Sequence, residues 1–368
     1  MIEKIDEEGI ILTHYDKKIS KELDVFYNPL MKLNRDISLL VIKSFFKQPI
    51  IFCDPMGASA IRELRFLKTI PECFEKIIIG DISQRAIDEM QKNFKENDIS
   101  TEKVEFMQAN AINTISKQYY DFIEIDPFGS PIPFLDIAMQ RIKHYGILSV
   151  TATDTAALCG TYPKTTLRKY NIKNQMTLAY NEIGLRNLIA YCQVQSAKYE
   201  KVLKPLISYS IDHYYKIFFQ VTDSRTEAYE MIKDLKWIEY DSINQDYKVH
   251  DNEICDNLIG KTFVKDYTDK EFIEKLISNS DMIKDNKKLL NILEKLKLEP
   301  DNIPFYKNIH KLQKSQKTNA QITFNELLEE IHKENHKAQK VHNDNVSIKT
   351  SAPTDIIVKI LKKYSKSS

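Results

Sequence analysis

Glycine and proline are scarce, 8 and 12 in 368 residues, which excludes a collagen-like or low-complexity chain. Cysteine is sparse and scattered. Cys53, Cys73, Cys159, Cys192 and Cys255 contain no C-x-x-C pair, so neither a disulfide framework nor a thiolate zinc site is expected. No apolar run approaches the length of a membrane span, and the N-terminal region carries Glu3, Asp6, Glu7 and Glu8 where a secretory signal would be basic and then apolar. A protein that is neither exported nor inserted, at home in a reducing cytoplasm, is the expectation. Charge of one sign is also lacking: 53 basic residues against 52 acidic leave a formal net charge of +1, so any surface for a polyanion must be a local patch. What is present is 42% hydrophobic and 29% charged residues, the composition of a globular chain with room for two or three domains.

Strand-like and helix-like runs alternate through the first two thirds. Residues 49–53, 76–80, 104–108, 120–125 and 146–153 read as strands; 58–69, 84–97 and 131–144 read as helices between them. Short, continuously apolar strands separated by helices predict a parallel sheet covered on both faces, a doubly wound α/β domain. A long helix over 178–200 and two closely spaced strands, 206–211 and 214–221, complete the layout of a class I (Rossmann-like) methyltransferase domain. Near Asp223 the sequence turns polar and rich in Asn and Lys, which sets the boundary between residues 1–222 and a smaller α+β C-terminal domain, 223–368. Helices over 302–317 and 323–336, then a strand over 346–349, predict a winged-helix-like module there.

In open parallel sheets a ligand sits beyond the carboxyl ends of the strands, where strand order reverses, so the residues after each strand are read as one site. The first strand is followed by "DPMGASAIRELR", which places Asp54 and small residues ahead of a helix N-terminus. The second ends at Asp81, 24 residues beyond Gly57 (81 − 57), where an acid that binds ribose hydroxyls is expected. Asp81 also reads as a helix N-cap, and the two roles are compatible. The third is followed by "QANA", 108–111, and the fourth by "DPFG", 126–129. An exocyclic amine on a nucleobase is a poor nucleophile because its lone pair is delocalised into the ring. A carboxylate and a neighbouring carbonyl that accept its N–H bonds localise that pair. Asp126 and the Pro127 carbonyl suit this task, and Phe128 offers a flat face for a base. A strand-to-helix turn with a core Phe is the structural alternative. A nicotinamide-dependent oxidoreductase would want Gly-x-Gly-x-x-Gly after the first strand, where this chain has Gly57 alone.

The stretches "VFYNPLMKLNRDIS" (25–38), "DPMGASAIRELRF" (54–66), "IDPFGSPIPFLDIA" (125–138), "GILSVTATDTAALCG" (146–160), "LRKY" (167–170), "EIGLR" (182–186) and "IKTSAP" (348–353) resemble one family. It is that of the tRNA guanine-26 dimethyltransferases, which use S-adenosylmethionine. The resemblance runs almost the length of the chain. It implies two successive methylations of the 2-amino group of guanosine 26, with Asp126 as the catalytic carboxylate beside Pro127 and Phe128. It implies Asp54 in the cofactor loop, Arg35 and Arg62 at the methionine end, Asp81 on the ribose, and Asn110 and Ala111 beside the adenine. Ala60 stands where the family has glycine, and Asn110 where an acid is common. Relatives carry a cysteine set for zinc in the second domain, where this chain has only Cys255. No metal is expected, and the pair His332 and His336 lacks the glutamate of a zinc hydrolase motif.

A guanine in folded tRNA must leave its stack to reach such a carboxylate, so the base is expected to flip onto Phe128, with Phe26 and Tyr27 as further pocket residues or as core packing. From 302 to 325 there is no acid, and Lys307, Lys311 and Lys314 recur at spacings of four and three, a candidate grip on phosphates that Lys340, His342 and Lys349 would extend. The same chemistry on another RNA or DNA base, and a noncatalytic tRNA-binding chaperone, are the alternatives to a guanosine-26 enzyme.

Overall fold

The structure is a computed structural model and describes residues 4–13 and 26–365. A hairpin, β1 (Lys4–Glu7) and β2 (Ile10–Thr13), precedes α1 (Lys32–Phe45). Then come β3 (Ile50–Asp54), α2 (Ile61–Thr69), β4 (Phe74–Asp81), α3 (Gln84–Glu96), β5 (Val104–Gln108), α4 (Ala111–Ser116), β6 (Tyr120–Ile125), α5 (Ile132–Arg141) and β7 (Ile142–Ala152). After α6 (Thr155–Leu158), α7 (Pro163–Tyr170) and α8 (Tyr180–Ala197), β8 (Lys201–Ile211) and β9 (Tyr214–Asp223) follow, joined by the two residues Asp212 and His213. So short a link makes them an antiparallel pair. One seven-stranded sheet has the order β5-β4-β3-β6-β7-β9-β8, with β3, β4, β5, β6 and β7 paired in parallel.

The apolar strands are buried as expected for a sheet covered on both faces: Phe52, Ile77, Ile78, Ile79, Phe122, Ile123 and Ile125 have no exposed surface. Strand order reverses between β3 and β6, where Cys53 lies opposite Ile123. Their carboxyl ends, Asp54 and Asp126, therefore open on one crevice. Helix α5 is shorter than the pattern predicts. It ends at Arg141, and Ile142 already pairs with Tyr120, with a register shift before Phe122 meets Ile147 that absorbs the extra residues of β7.

The chain forms two compact units. The first comprises residues 1–151, 218–223 and 271–293; the second comprises 152–217, 224–270 and 294–368. The second contains α9 (Arg225–Lys233) and a small sheet of β10 (Lys236–Tyr240), β11 (Tyr247–His250) and β12 (Ile259–Thr262). Helices α10 (Lys270–Ser278) and α11 (Lys287–Leu298) follow in sequence. The last segment runs β13 (Lys307–Asn308), α12 (Ile309–Ser315), α13 (Phe324–Lys333), β14 (Ala338–Lys340), β15 (Ser347–Thr350), α14 (Thr354–Lys363), with sheet order β13-β15-β14. Two helices followed by a hairpin give the predicted winged-helix-like arrangement, closed over Leu312, Leu327, Ile331, Ile348, Ile357 and Leu361. A capping box between Thr323 and Glu326 starts α13.

Two motifs far apart in sequence meet inside the second unit. Lys349 Nζ reaches Glu182 Oε1 at 3.0 Å and Glu299 Oε2 at 2.8 Å, while Glu182 also holds Arg186 at 2.7 Å. His342 Nδ1 lies 2.7 Å from Glu299 Oε1. Lys349 and His342 are therefore buried members of an ion network, which corrects their expected place on a phosphate-binding surface.

Candidate active site

The loop from β3 to α2 turns by two left-handed residues, Ala58 (φ 48°) and Ala60 (φ 56°). That conformation favours glycine, which accounts physically for the family residue at position 60. Gly57 is needed for another reason: a Cβ there would stand 2.3 Å from Ile79 Cγ2. The loop is drawn onto the next strand end. Gly57 N donates to Gly80 O at 2.9 Å and Ala58 N donates to Asp81 Oδ2 at 3.3 Å. Asp81 Oδ1 accepts from Ser83 N at 2.9 Å, and Ser83 rather than Asp81 caps α3.

Sequence reasoning missed two exposed apolar side chains, Ile82 (75% exposed) directly after Asp81 and Ile112 (46% exposed) in the first turn of α4. Exposed isoleucines next to a part-exposed aspartate suit a ligand with an apolar flat ring and a hydroxylated sugar. Asn110 caps α4 by accepting from Asn113 N at 2.8 Å, and Ala111 is the first residue of that helix.

Arg62 is the hub of the crevice. Its Nη2 donates to Asp126 Oδ2 at 2.7 Å, and its Nη1 donates to Asn34 Oδ1 at 3.1 Å and to Ser38 Oγ at 2.9 Å. Glu124 Oε2 lies 3.4 Å from the same Nη1, and Asp54 Oδ2 lies 3.5 Å from Nε. Asn34 Nδ2 completes the hold on Asp126 Oδ2 at 3.5 Å. Burial works against the Arg62 charge, but Glu124, Asp126 and Asp54 outweigh it and raise its pKa above the ordinary value. Burial, reinforced by Glu124 and opposed by Arg62, pushes the Asp54 carboxyl up to about 6. Arg62, expected at the methionine end of the donor, makes a direct ion pair with Asp126. Asn34, Ser38 and Glu124 were not read from the sequence. The available signal was polar residues inside otherwise buried stretches of α1 and β6.

After Asp126 the chain reverses at Gly129 (φ 97°), which leaves Phe128 55% exposed. Phe26 meets it edge to face, with centroids 4.5 Å apart and planes at 86°. Tyr27 does not join this wall. It is buried and its hydroxyl donates to Glu7 Oε2 at 2.9 Å, so of its two expected roles core packing is the one observed.

Arg35, expected at the methionine end of the donor, is also committed elsewhere: both arms of its fork engage Glu7, Nε at 2.8 Å, and Asn28 O accepts from it at 3.2 Å. Arg65 pairs with Glu7 and Asp36. Although burial pulls the other way, Arg35 and Arg65 hold the Glu7 carboxyl at about 2.

Of the three lysines expected on phosphates, Lys311 and Lys314 are exposed on α12. Lys307 is not: it is buried, and its ammonium donates to Gln245 O at 3.0 Å and Thr354 Oγ1 at 2.7 Å and pairs with Asp246. That residue fastens β13 and carries no free charge for RNA.

A family profile described as N2,N2-dimethylguanosine tRNA methyltransferase matches residues 3–362. The chain belongs to this family. Among members of the dimethyltransferase family, the tRNA (guanine(26)-N(2))-dimethyltransferase of Methanobrevibacter smithii is 33% identical over 99% of this chain and 98% of its own. An Aquifex aeolicus member, a tRNA (guanine(26)-N(2)/guanine(27)-N(2))-dimethyltransferase, is 37% identical over 64% of this chain and 62% of its own. The solved structure of Trm1 from Pyrococcus horikoshii with S-adenosyl-L-methionine superposes with a TM-score of 0.88 at 27% identity, covering 98% of this chain and 99% of that one. The α/β methyltransferase architecture read from the sequence is thereby the fold of the family. Among the described residues no helix is long and apolar enough to cross a membrane.

Proposed function

We infer that this chain dimethylates the exocyclic 2-amino group of guanosine 26 in tRNA, in two successive transfers, with Asp126 as the catalytic carboxylate. The observation that carries this reading is the state of Asp126, two residues before the exposed Phe128: Arg62 and Asn34 both hold Oδ2, which leaves Oδ1 as the oxygen suited to accept from a substrate. S-adenosylmethionine, when bound, supplies a methyl group on a positively charged sulfur. Asp81 is suited to its ribose, Ile82, Asn110 and Ala111 border its adenine, and the Asp54–Ala60 loop and Arg62 face its amino-acid end.

A flipped guanine stacks on Phe128, whose ring Phe26 props from the side, a contact worth roughly 1–3 kcal/mol. Asp126 Oδ1 accepts an N–H bond from the 2-amino group, and the Pro127 carbonyl takes the other N–H. Both localise the nitrogen lone pair on the attacking side. As the N–C bond forms the methyl–sulfur bond breaks, neutral adenosylhomocysteine is left, the positive charge passes to the nitrogen, and Asp126 takes up its proton. The monomethylated amine retains one N–H, so the same carboxylate serves the second round. Residues 223–368, with Lys311 and Lys314 exposed on α12, are read as the tRNA-gripping part of the chain. Five unpaired thiols suit a reducing cytoplasm.

The test is incubation of the purified protein with labelled methyl donor and unmodified tRNA transcripts, followed by identification of the product nucleoside and its position. Dimethylguanosine at position 26, abolished by Asp126→Ala with donor binding retained, is the expected result. Product at another base, or an unimpaired Asp126→Ala, overturns the reading.

A further inference from the structure

Glu124 is 0% exposed and sits two residues before Asp126 on β6, so it cannot touch either substrate, yet a central strand is a costly place for a carboxylate. An apolar residue there would serve packing alone. What Glu124 does is visible in its neighbours. Its Oε1 accepts from Ser149 Oγ at 3.1 Å; its Oε2 lies 3.5 Å from Ser38 Oγ and 3.4 Å from Arg62 Nη1.

A guanidinium is a rigid planar fork, so fixing its Nη1 edge fixes the direction in which Nη2 points. Nη2 points at Asp126 Oδ2, 2.7 Å away. Glu124 lies near the end of β6 and Asp126 directly after it, and both carboxylates reach the same arginine, Glu124 at Nη1 and Asp126 at Nη2. We propose that Glu124 is a positioning residue for the methyl transfer, acting through Arg62 to keep Asp126 Oδ2 engaged and Oδ1 aimed at the amine.

This rests on the reading of Asp126 given above. It departs from a role for Arg62 confined to the methyl donor, because it makes the back of that arginine part of the apparatus that aims the catalytic carboxylate. Loss of the Glu124 charge leaves the Nη1 edge held only by the neutral Asn34 and Ser38, with Asp54 at Nε, so the fork is less firmly fixed behind Asp126, and misplacement of a catalytic group by about 1 Å costs on the order of 100-fold in rate.

The experiment compares Glu124→Gln, Ser149→Ala and Asp126→Asn with the parent protein, on unmodified tRNA under single-turnover and steady-state conditions. Adenosylhomocysteine affinity is read by calorimetry and folding by circular dichroism. Glu124→Gln is expected to lower kcat on the order of 10- to 100-fold while tRNA KM and adenosylhomocysteine Kd stay within about threefold. Ser149→Ala, which removes one hydrogen-bond partner of Glu124, is expected to lower kcat a few-fold with the same split. A parental kcat in Glu124→Gln, or a loss in kcat matched by an equal loss in cofactor affinity, overturns the proposal. If Glu124→Gln does not fold, Ser149→Ala decides by the same two criteria. Asp126→Asn separates the two readings: if it is inactive while the other variants are unimpaired, only the role of Glu124 falls, and if it is active, the role of Asp126 falls as well.

Discussion

Next to Arg62 on α2, the Glu63 carboxyl is completely buried, and burial, with Asp54 adding to it, pushes its pKa well above the ordinary value. The folded chain therefore keeps a proton that the unfolded chain releases once pH passes the ordinary carboxyl range. Stability on this account falls as pH rises above that range, until the folded group itself ionises. Glu63→Gln removes the penalty while keeping the shape. Its Tm should exceed that of the parent at pH 7–8 by a few degrees, on the order of 2–4 °C for each kcal/mol relieved, and the gap should close toward acidic pH. Scanning calorimetry across that range checks both the sign and the slope. Phe128 stands at the other extreme, an aromatic ring left open to solvent. Phe128→Ala should reduce kcat/KM for tRNA by roughly 5- to 150-fold, the equivalent of about 1–3 kcal/mol of stacking, with adenosylhomocysteine affinity unchanged in a calorimetric titration.

Elements with a single dominant periodicity were the legible ones. The runs that became β3, β4, β5 and β6 are short, apolar and bounded by turn residues, and the structure places their ends within a few residues of the predicted ones. At those ends Asp54, Asp81 and Asp126 could be read because packing alone does not call for a carboxylate where an apolar run closes. Glu124 and Asn34 could not, because a single polar residue inside an apolar stretch looks like noise until its partner in space is known. Lys307, Lys349 and His342 failed for the converse reason: charge in sequence suggested surface, whereas acids from distant segments bury them. Helix α12 retains only part of the expected lysine row, Lys311 and Lys314. If those two meet phosphates, the double change to alanine should lower the slope of log affinity against log salt by up to about 2, leaving kcat at saturating tRNA intact. Fluorescence titrations at several salt concentrations measure it.

At the scale of the whole molecule, a formal net charge of +1 supplies no general attraction for a polyanion, so any grip on one must rest on local patches. The motifs of the second unit have a structural reason of their own. Lys349 of "IKTSAP" bridges Glu182 of "EIGLR" and Glu299, so these stretches are tied together by a buried ion network.

The first unit closes on a segment borrowed from late in the chain. Asn279 Nδ2 donates to Ser44 Oγ at 3.0 Å, Ser44 Oγ donates to Lys275 O at 3.3 Å, Lys284 N donates to Glu8 Oε2 at 2.9 Å, and Phe272 packs on Phe45 with centroids 6.1 Å apart. A fragment cut at residue 222 would lack this piece, and it should give weak, non-cooperative thermal melts and rapid digestion by protease where the intact chain resists. No cut before residue 293 leaves the first unit with all of its segments. The gene must be translated past residue 293 before that half has all of its parts.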